Sequence, residues 1–157
     1  MKYSLSLILS VCMFGACKSK PDLQKEKAVI LHLLQQERKA HLERDTDLFM
    51  AEFADSMINV NRGVVSSPSK SEHKERIGKY FGSVRFIKWD DVTEPVIRFS
   101  GDATLAYAII QKMVILSFPD PEMTGNSKTD STEYAWVSIY RKQKGKWKVE
   151  CNVSTNK

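Results

Sequence analysis

The sequence has few of the residue types from which metal centres and cofactor sites are built. Its 157 residues include three cysteines and three histidines. The histidines are His32, His41 and His73, and no Asp, Glu, His or Cys spacing around them is typical of a ligand set. We therefore expect no metal ion and no cofactor, and we expect these histidines at exposed or half-buried positions on helices.

Long hydrophobic runs are also missing, which excludes a membrane-spanning helix of about 20 apolar residues. The apolar stretch at residues 5–11 follows the cation of Lys2 and precedes the segment Phe14-Gly15-Ala16-Cys17. A positive end, an apolar core and small residues in this order are typical of a signal peptide. The segment 14–17 resembles the bacterial lipobox, whose cysteine is acylated and becomes the new N-terminus, although Phe14 replaces the usual leucine.

This resemblance implies a lipoprotein precursor with three parts. They are a signal peptide at residues 1–16, a lipid-anchored tether at 17–25 and a folded domain at 26–157. The acyl chains on Cys17, palmitate among them, would hold the domain on a membrane in the bacterial cell envelope, outside the cytoplasm. The alternative is an ordinary secretory signal that ends near Ala16 and leaves Cys17 as a free thiol.

Disulfide bonds are not expected in the lipoprotein. Cys12 leaves with the signal peptide and Cys17 carries the lipid, so Cys151 is the remaining cysteine. Cys151 lies in an alternating apolar segment, which predicts a buried, unreactive thiol rather than a nucleophile.

Neither sign of charge dominates the chain. It contains 24 Lys and Arg against 19 Asp and Glu, and the two signs alternate along most of its length. Five cations crowd residues 141–148, where a hairpin end is expected to be solvated or to touch anionic lipid head groups. Because these cations are not interleaved with an aromatic stacking platform, we expect no nucleic-acid binding.

Hydrophobic periodicity divides the domain into a helical part and a strand-rich part. Helices are predicted at 26–44, from Asp45 onward, and from a capping box at Ser69 to Phe81, where Gly82 suits the exit. Strands are predicted at 57–60, 64–65, 84–89, 96–99, 105–118, 134–141 and 147–153, with a polar loop at 119–131. Helices that precede strands predict an α+β domain with one curved antiparallel sheet.

The strands are apolar on both faces, which is unusual for an antiparallel sheet with one face in water. Tyr134, Trp136 and Tyr140 alternate with Ala135 and Val137 on the sixth predicted strand. We therefore expect one face to pack on the helices and the other to be covered by a partner subunit.

The order of elements and several short motifs resemble the nuclear transport factor 2-like (NTF2-like) superfamily, which includes SnoaL-like polyketide cyclases and steroid isomerase relatives. The resemblance covers nearly the whole domain. Its motifs are Ile30, Leu33, Ala40 and Asp45, then Phe53-Ala54-Asp55, Gly63, Ser100-Gly101-Asp102, and Gly145 to Val149. It implies a cone-shaped α+β fold, a pocket between three N-terminal helices and the concave sheet, and dimers through the convex face.

The resemblance does not imply one activity, because this scaffold hosts both enzymes and binding domains. Relatives often carry histidines on the last strand at positions that match Cys151 and Val153 here, and this departure argues against acid–base chemistry. The pocket candidates are Asn59, Tyr107, Met113, Tyr134, Trp136 and Asn152, of which sidedness could exclude half.

Two functions of different classes follow from the sequence. The first is a non-catalytic envelope lipoprotein that binds a small apolar or amphipathic molecule or serves as a dimeric interaction domain. The alternative is a SnoaL-like isomerase, dehydratase or cyclase that uses a pocket carboxylate and a tyrosine, with Asp55, Tyr107 and Tyr134 as candidates. The sequence favours the first, since it shows no complete catalytic constellation.

Overall fold

The computed structural model describes residues 20–119 and 127–155, so the predicted signal peptide, Cys17 and part of the polar loop lie outside the described residues. The helices in these residues are α1 (Leu23–Glu43), α2 (Thr46–Met50) and α3 (Lys70–Ser83). The strands are β1 (Phe53–Asn61), β2 (Val64–Ser66), β3 (Arg85–Asp91), β4 (Val96–Phe99), β5 (Leu105–Ser117), β6 (Thr129–Gln143) and β7 (Lys146–Thr155). The predicted α+β class is confirmed, with β1 and β2 lying between α2 and α3 in the chain.

Side-chain caps fix where each helix begins. The carboxylates of Asp22 and Asp45 accept hydrogen bonds from backbone N–H groups at the starts of α1 and α2. The predicted capping box of α3 is present. The Ser69 hydroxyl accepts a hydrogen bond from the Glu72 backbone N–H, and the Glu72 carboxylate accepts one of 2.8 Å from the Ser69 backbone N–H. The predicted end of α3 at Phe81 was two residues too early, because the helix continues through Gly82 and ends at Ser83.

The strands form one sheet in the order β2-β1-β7-β6-β5-β3, with β4 also paired to β5. The prediction of an antiparallel sheet is correct for all pairs but one, because β1 and β7 run parallel. Register shifts interrupt the β1–β7, β3–β5 and β6–β7 pairings. Such bulges bend strands and increase twist, which is how one sheet curves around a set of helices.

The inner face of the sheet packs on the helices and carries the core. On β5 the inner residues are even-numbered, and Ala106, Ala108 and Ile110 are at most 2% exposed. Lys112 continues this row and is 1% exposed, with its ammonium 2.6 Å from a carboxylate oxygen of Asp91. Ala106, Ala108 and Ile110 are part of the hydrophobic core.

The outer face of the sheet is the second apolar face that the sequence predicts. Tyr107 and Ile109 on β5 are 43% and 47% exposed, and Ile58 on β1 is 45% exposed. The register places Tyr107 beside Ile139, and Ile139 beside Cys151, on this same face.

Within residues 20–119 and 127–155, no helix is both long and apolar enough to cross a bilayer.

Candidate ligand cavity

A cavity of about 440 Å³ opens between the inner face of β1, β6 and β7 and the helices α1 and α3. Its walls combine aromatic rings, amides and a few ionisable groups. They comprise Glu37, His41, Phe49, Phe53, Met57, Asn59, Asn61, His73, Arg76, Ile77, Tyr80, Trp89, Tyr134, Trp136, Asn152 and Ser154.

Amide and hydroxyl side chains line the sheet side of the cavity at the β1–β7 pair. Asn59 lies beside Asn152, and Asn61 lies beside Ser154, in the parallel register of these strands. Ser138 on β6 donates a hydrogen bond of 2.7 Å to Oδ1 of Asn152, which leaves the amide nitrogen available. This wall therefore offers uncharged hydrogen-bonding groups in a regular array.

Aromatic rings form the opposite wall, around His41. The His41 ring stacks on Trp89 with centroids 3.6 Å apart, and it meets Phe49, Phe81 and Phe86 edge-on at 5.0–5.2 Å. Aromatic pairs in these geometries stabilise a core beyond the area they bury. The ring cluster therefore gives the cavity a rigid apolar end.

His41 is buried at 4% exposure, so the expectation of an exposed or half-buried helical histidine was wrong. Burial is the main cause that lowers its pKa to about 3, so the ring is neutral. Nδ1 lies 2.7 Å from the carbonyl oxygen of Glu37, which assigns the proton to Nδ1. The same expectation was wrong for His73, which is 5% exposed and whose pKa burial lowers to about 4.

Glu37 brings an ionisable carboxyl into the cavity from α1. Desolvation is the largest cause that raises its pKa to about 7, and the nearby Lys112 ammonium opposes this rise. A carboxyl that titrates near pH 7 can accept or donate a proton under physiological conditions. Two phenols, Tyr80 and Tyr134, line the same cavity.

A second carboxyl, Glu52, is buried in the core at 7% exposure and is not part of the cavity wall. Burial, reinforced by the charge of Glu37, raises its pKa to about 9. Its Oε1 atom has no hydrogen-bond partner among the described residues. Glu52 is therefore protonated at neutral pH.

The structure brings four of the six predicted pocket residues together. Asn59, Tyr134, Trp136 and Asn152 line the cavity. Tyr107 and Met113 lie on the outer face instead, because side chains alternate along β5 and its even-numbered residues face inward.

Asp55, the carboxylate suggested for catalysis, points into solvent. Its side chain is 96% exposed and lies 3.3 Å from the Lys70 ammonium. Cys151 and Val153 are likewise turned to the outer face by their pairing with Ile139 and Val137. The inner positions on β7 are Asn152 and Ser154.

Sequence reasoning missed Glu37, His41 and His73. The signal for the first two was present, since Ile30, Leu34, Glu37 and His41 follow the spacing of one helix face and Ile30 and Leu34 are buried. In the described residues, no three His, Cys, Asp or Glu side chains lie close enough together to hold a metal ion.

Comparisons with known proteins identify the fold. No protein-family model matches the chain, and no curated protein matches its sequence. Among solved structures, a candidate dehydratase of the NTF2-like family from Streptomyces avermitilis aligns with TM-score 0.67 and 12% identity over 83% of this chain and 96% of that one. An NTF2-like protein from Cytophaga hutchinsonii aligns with TM-score 0.66 and 13% identity, covering 84% and 98%.

The association domain of C. elegans CaMKII is a third similar structure, with TM-score 0.59 and 15% identity over 85% of this chain and 97% of that one. These identities are low, but the alignments cover most of both chains, so the likeness extends over the complete domain. The chain has the NTF2-like fold.

Proposed function

We propose that this protein binds a small apolar or amphipathic molecule in the cavity between α1, α3 and the inner face of the sheet. The observation that carries the proposal is the cavity itself. Its volume of about 440 Å³ lies in the range of ~300–1,000 Å³ that is typical of small-molecule sites. Aromatic walls with a few placed polar groups are the usual lining of such sites.

Native mass spectrometry of the gently purified protein tests this proposal. We expect an additional small mass on the protein, which is lost when Ile77→Trp fills the cavity from α3. The matched control is Ile87→Trp, because Ile87 is 53% exposed and does not line the cavity. A bare protein mass from several growth conditions, or an adduct that survives in Ile77→Trp, would contradict ligand binding in this cavity.

Glu37 favours a second candidate function, an isomerase or dehydratase that moves a proton. Its carboxyl, with a pKa raised to about 7, would act as the base, and Tyr80 or Tyr134 would donate a hydrogen bond to the developing oxyanion. The dehydratase description of the Streptomyces avermitilis protein is consistent with such chemistry on this fold.

Exchange of the α-hydrogens of tetralone in D2O, followed by NMR, tests the proton-transfer function. We expect catalysed exchange whose rate rises as the pH passes through 7 and falls about a hundredfold or more in Glu37→Gln. The control is Glu43→Gln, an exposed carboxyl on the same helix that does not line the cavity. Equal rates in Glu37→Gln and the unsubstituted protein would contradict a catalytic role for Glu37.

We also propose that the domain is tethered to a membrane of the cell envelope through acylated Cys17. Support comes from the order of Lys2, the apolar stretch at 5–11 and the segment 14–17. Metabolic labelling with palmitate should mark the unsubstituted protein and not Cys17→Ser. Unlabelled protein recovered in the aqueous fraction would contradict the tether.

A second copy of the chain is the partner that we propose for the outer face of the sheet. The exposed apolar side chains on β1 and β5 support this proposal. The similar CaMKII structure is named as an association domain, which is consistent with assembly of this fold.

A further inference from the structure

We propose that the ligand of this cavity carries a ring with several hydroxyl groups, as in a glycoside, and that the β1–β7 amide array binds that ring. The amide array is Asn59, Asn61, Asn152 and Ser154. This inference rests on the proposed binding function and names the chemical class of its ligand.

The amide array has the regular dimensions of the sheet that displays it. Asn59 and Asn152 occupy paired positions on neighbouring parallel strands, and Asn61 and Ser154 occupy the next paired positions on the same face. Neighbouring strands lie about 4.8 Å apart, and alternate residues along a strand are separated by about 6.6 Å. One six-membered ring with hydroxyl groups around its edge spans an array of this size.

Hydrogen-bonding capacity remains at Asn59 and Asn152, whereas the Ser154 hydroxyl donates to the Val60 carbonyl oxygen at 3.4 Å. The Asn59 side chain forms no hydrogen bond within the part of the chain that the structure describes, and it faces the cavity. Asn152 accepts from Ser138 through Oδ1 and retains both amide hydrogens. Amides both donate and accept, as hydroxyl groups do, so neither partner needs to be charged.

The rest of the cavity suits an apolar group attached to that ring. Trp136 and Tyr134 on β6 lie beside the amide array, and the ring centroids of Trp136 and Trp89 are 6.0 Å apart. An aromatic face packs against the C–H surface of a ring while amides bind its edge. A purely apolar ligand would bury the Asn59 amide without a partner, at a cost of about tenfold or more in affinity.

A matched set of four probes tests the inference by isothermal titration calorimetry. Phenyl glucoside carries the hydroxylated ring and an apolar group, cyclohexyl phenyl ether has a similar shape without hydroxyls, and phenyl glucuronide adds a negative charge. We expect the glucoside to bind about tenfold more tightly than the ether. The glucuronide measures how much Arg76, which lines the cavity, adds for a ring that carries a carboxylate. Methyl glucoside shows whether the sugar ring alone is sufficient, and tighter binding of the phenyl compound shows the contribution of the apolar end.

The variants Asn59→Leu and Asn152→Leu keep the side-chain size and remove the hydrogen bonds. Each should weaken glucoside binding about tenfold and leave ether binding unchanged. The control is Ile58→Leu, the neighbouring residue on the outer face. If Asn152→Leu unfolds because Ser138 loses its partner, Asn59→Leu decides the result alone.

The outcomes separate this inference from the proposed function. If the ether binds as tightly as the glucoside, or if Asn59→Leu binds the glucoside unchanged, the hydroxylated-ring inference is wrong and ligand binding stands. If none of the probes binds and native mass spectrometry shows no adduct, both are wrong.

Discussion

At the scale of single residues, Glu52 shows how burial turns an acid into a source of pH dependence. Its carboxyl is 7% exposed, and its pKa is raised from 4.5 to about 9 by burial and by the charge of Glu37, while Lys148 opposes the rise. A raised pKa means that the folded state favours the protonated acid. The associated stability is fully present below pH 4.5 and is lost as the pH rises through 9.

Glu52→Gln should therefore stabilise the protein at alkaline pH, because glutamine resembles the protonated acid and cannot ionise. We expect its free energy of unfolding to exceed that of the unsubstituted protein by about 5 kcal/mol at pH 8 and to match it near pH 4.5. Urea unfolding at a series of pH values measures this difference. A constant difference across the series would show that Glu52 does not titrate with folding, and Glu43→Gln, on an exposed carboxyl, is the control substitution.

The residue scale is also where sequence reasoning is weakest. On β5 both alternating sets, Ala106 and Ala108 against Tyr107 and Ile109, are apolar, so hydrophobicity alone cannot show which set faces the helices. The sheet contacts decide it, and they exclude Tyr107 from the cavity. Asn59 and Asn152 were more readily found, because polar residues inside apolar strands stand out from their neighbours.

At the scale of elements, α3 connects a local sequence signal to the cavity. The Ser69–Glu72 capping box starts this helix, and the helix carries His73, Ile77 and Tyr80 into the cavity wall. The cap satisfies backbone amides that have no partner within the helix. The stability of this one helix end therefore affects the geometry of the proposed binding site.

Ser69→Ala should destabilise α3 and loosen the cavity. We expect a loss of about 1 kcal/mol in unfolding free energy and faster amide hydrogen exchange across Lys70–Ser83. The matched control is Ser71→Ala, which removes the 3.1 Å hydrogen bond between the Ser71 and Ser69 hydroxyls and leaves the Ser69–Glu72 bonds in place. Equal exchange rates in both variants would show that the capping box does not limit the stability of α3.

Element boundaries followed from local chemistry, whereas their pairing did not. Caps at Asp45 and Ser69 and the turn at Lys144 and Gly145, both with positive φ, are visible in the sequence because each depends on neighbouring residues. The parallel β1–β7 pair joins distant segments, as does the 2.6 Å hydrogen bond from Trp147 to Glu26. No periodicity encodes such contacts, so the sequence predicted the elements and the fold resemblance had to supply their arrangement.

At the scale of the whole molecule, the outer face of the sheet exposes large apolar side chains that nothing in a single chain covers among the described residues. Apolar residues on β1, β4, β5 and β6 lie on this face, including Ile58, Val96, Ile109 and Val137. An extended apolar surface in water favours association, and a self-complementary sheet face is suited to a twofold dimer. The helices and the cavity lie on the other side of the sheet, so a dimer through this face would leave both cavities accessible.

Ile109→Lys should convert the proposed dimer into a folded monomer, because a buried ammonium without a partner costs more than the apolar contact provides. Sedimentation velocity should show the unsubstituted protein as a dimer and Ile109→Lys as a monomer at the same concentration. Leu23→Lys is the control, since Leu23 is 46% exposed on α1, on the helical side of the sheet. If Ile109→Lys lacks the native circular dichroism spectrum, Tyr107→Glu tests the same face. A monomeric unsubstituted protein, or a dimer that persists in both outer-face variants, would show that this face does not mediate self-association.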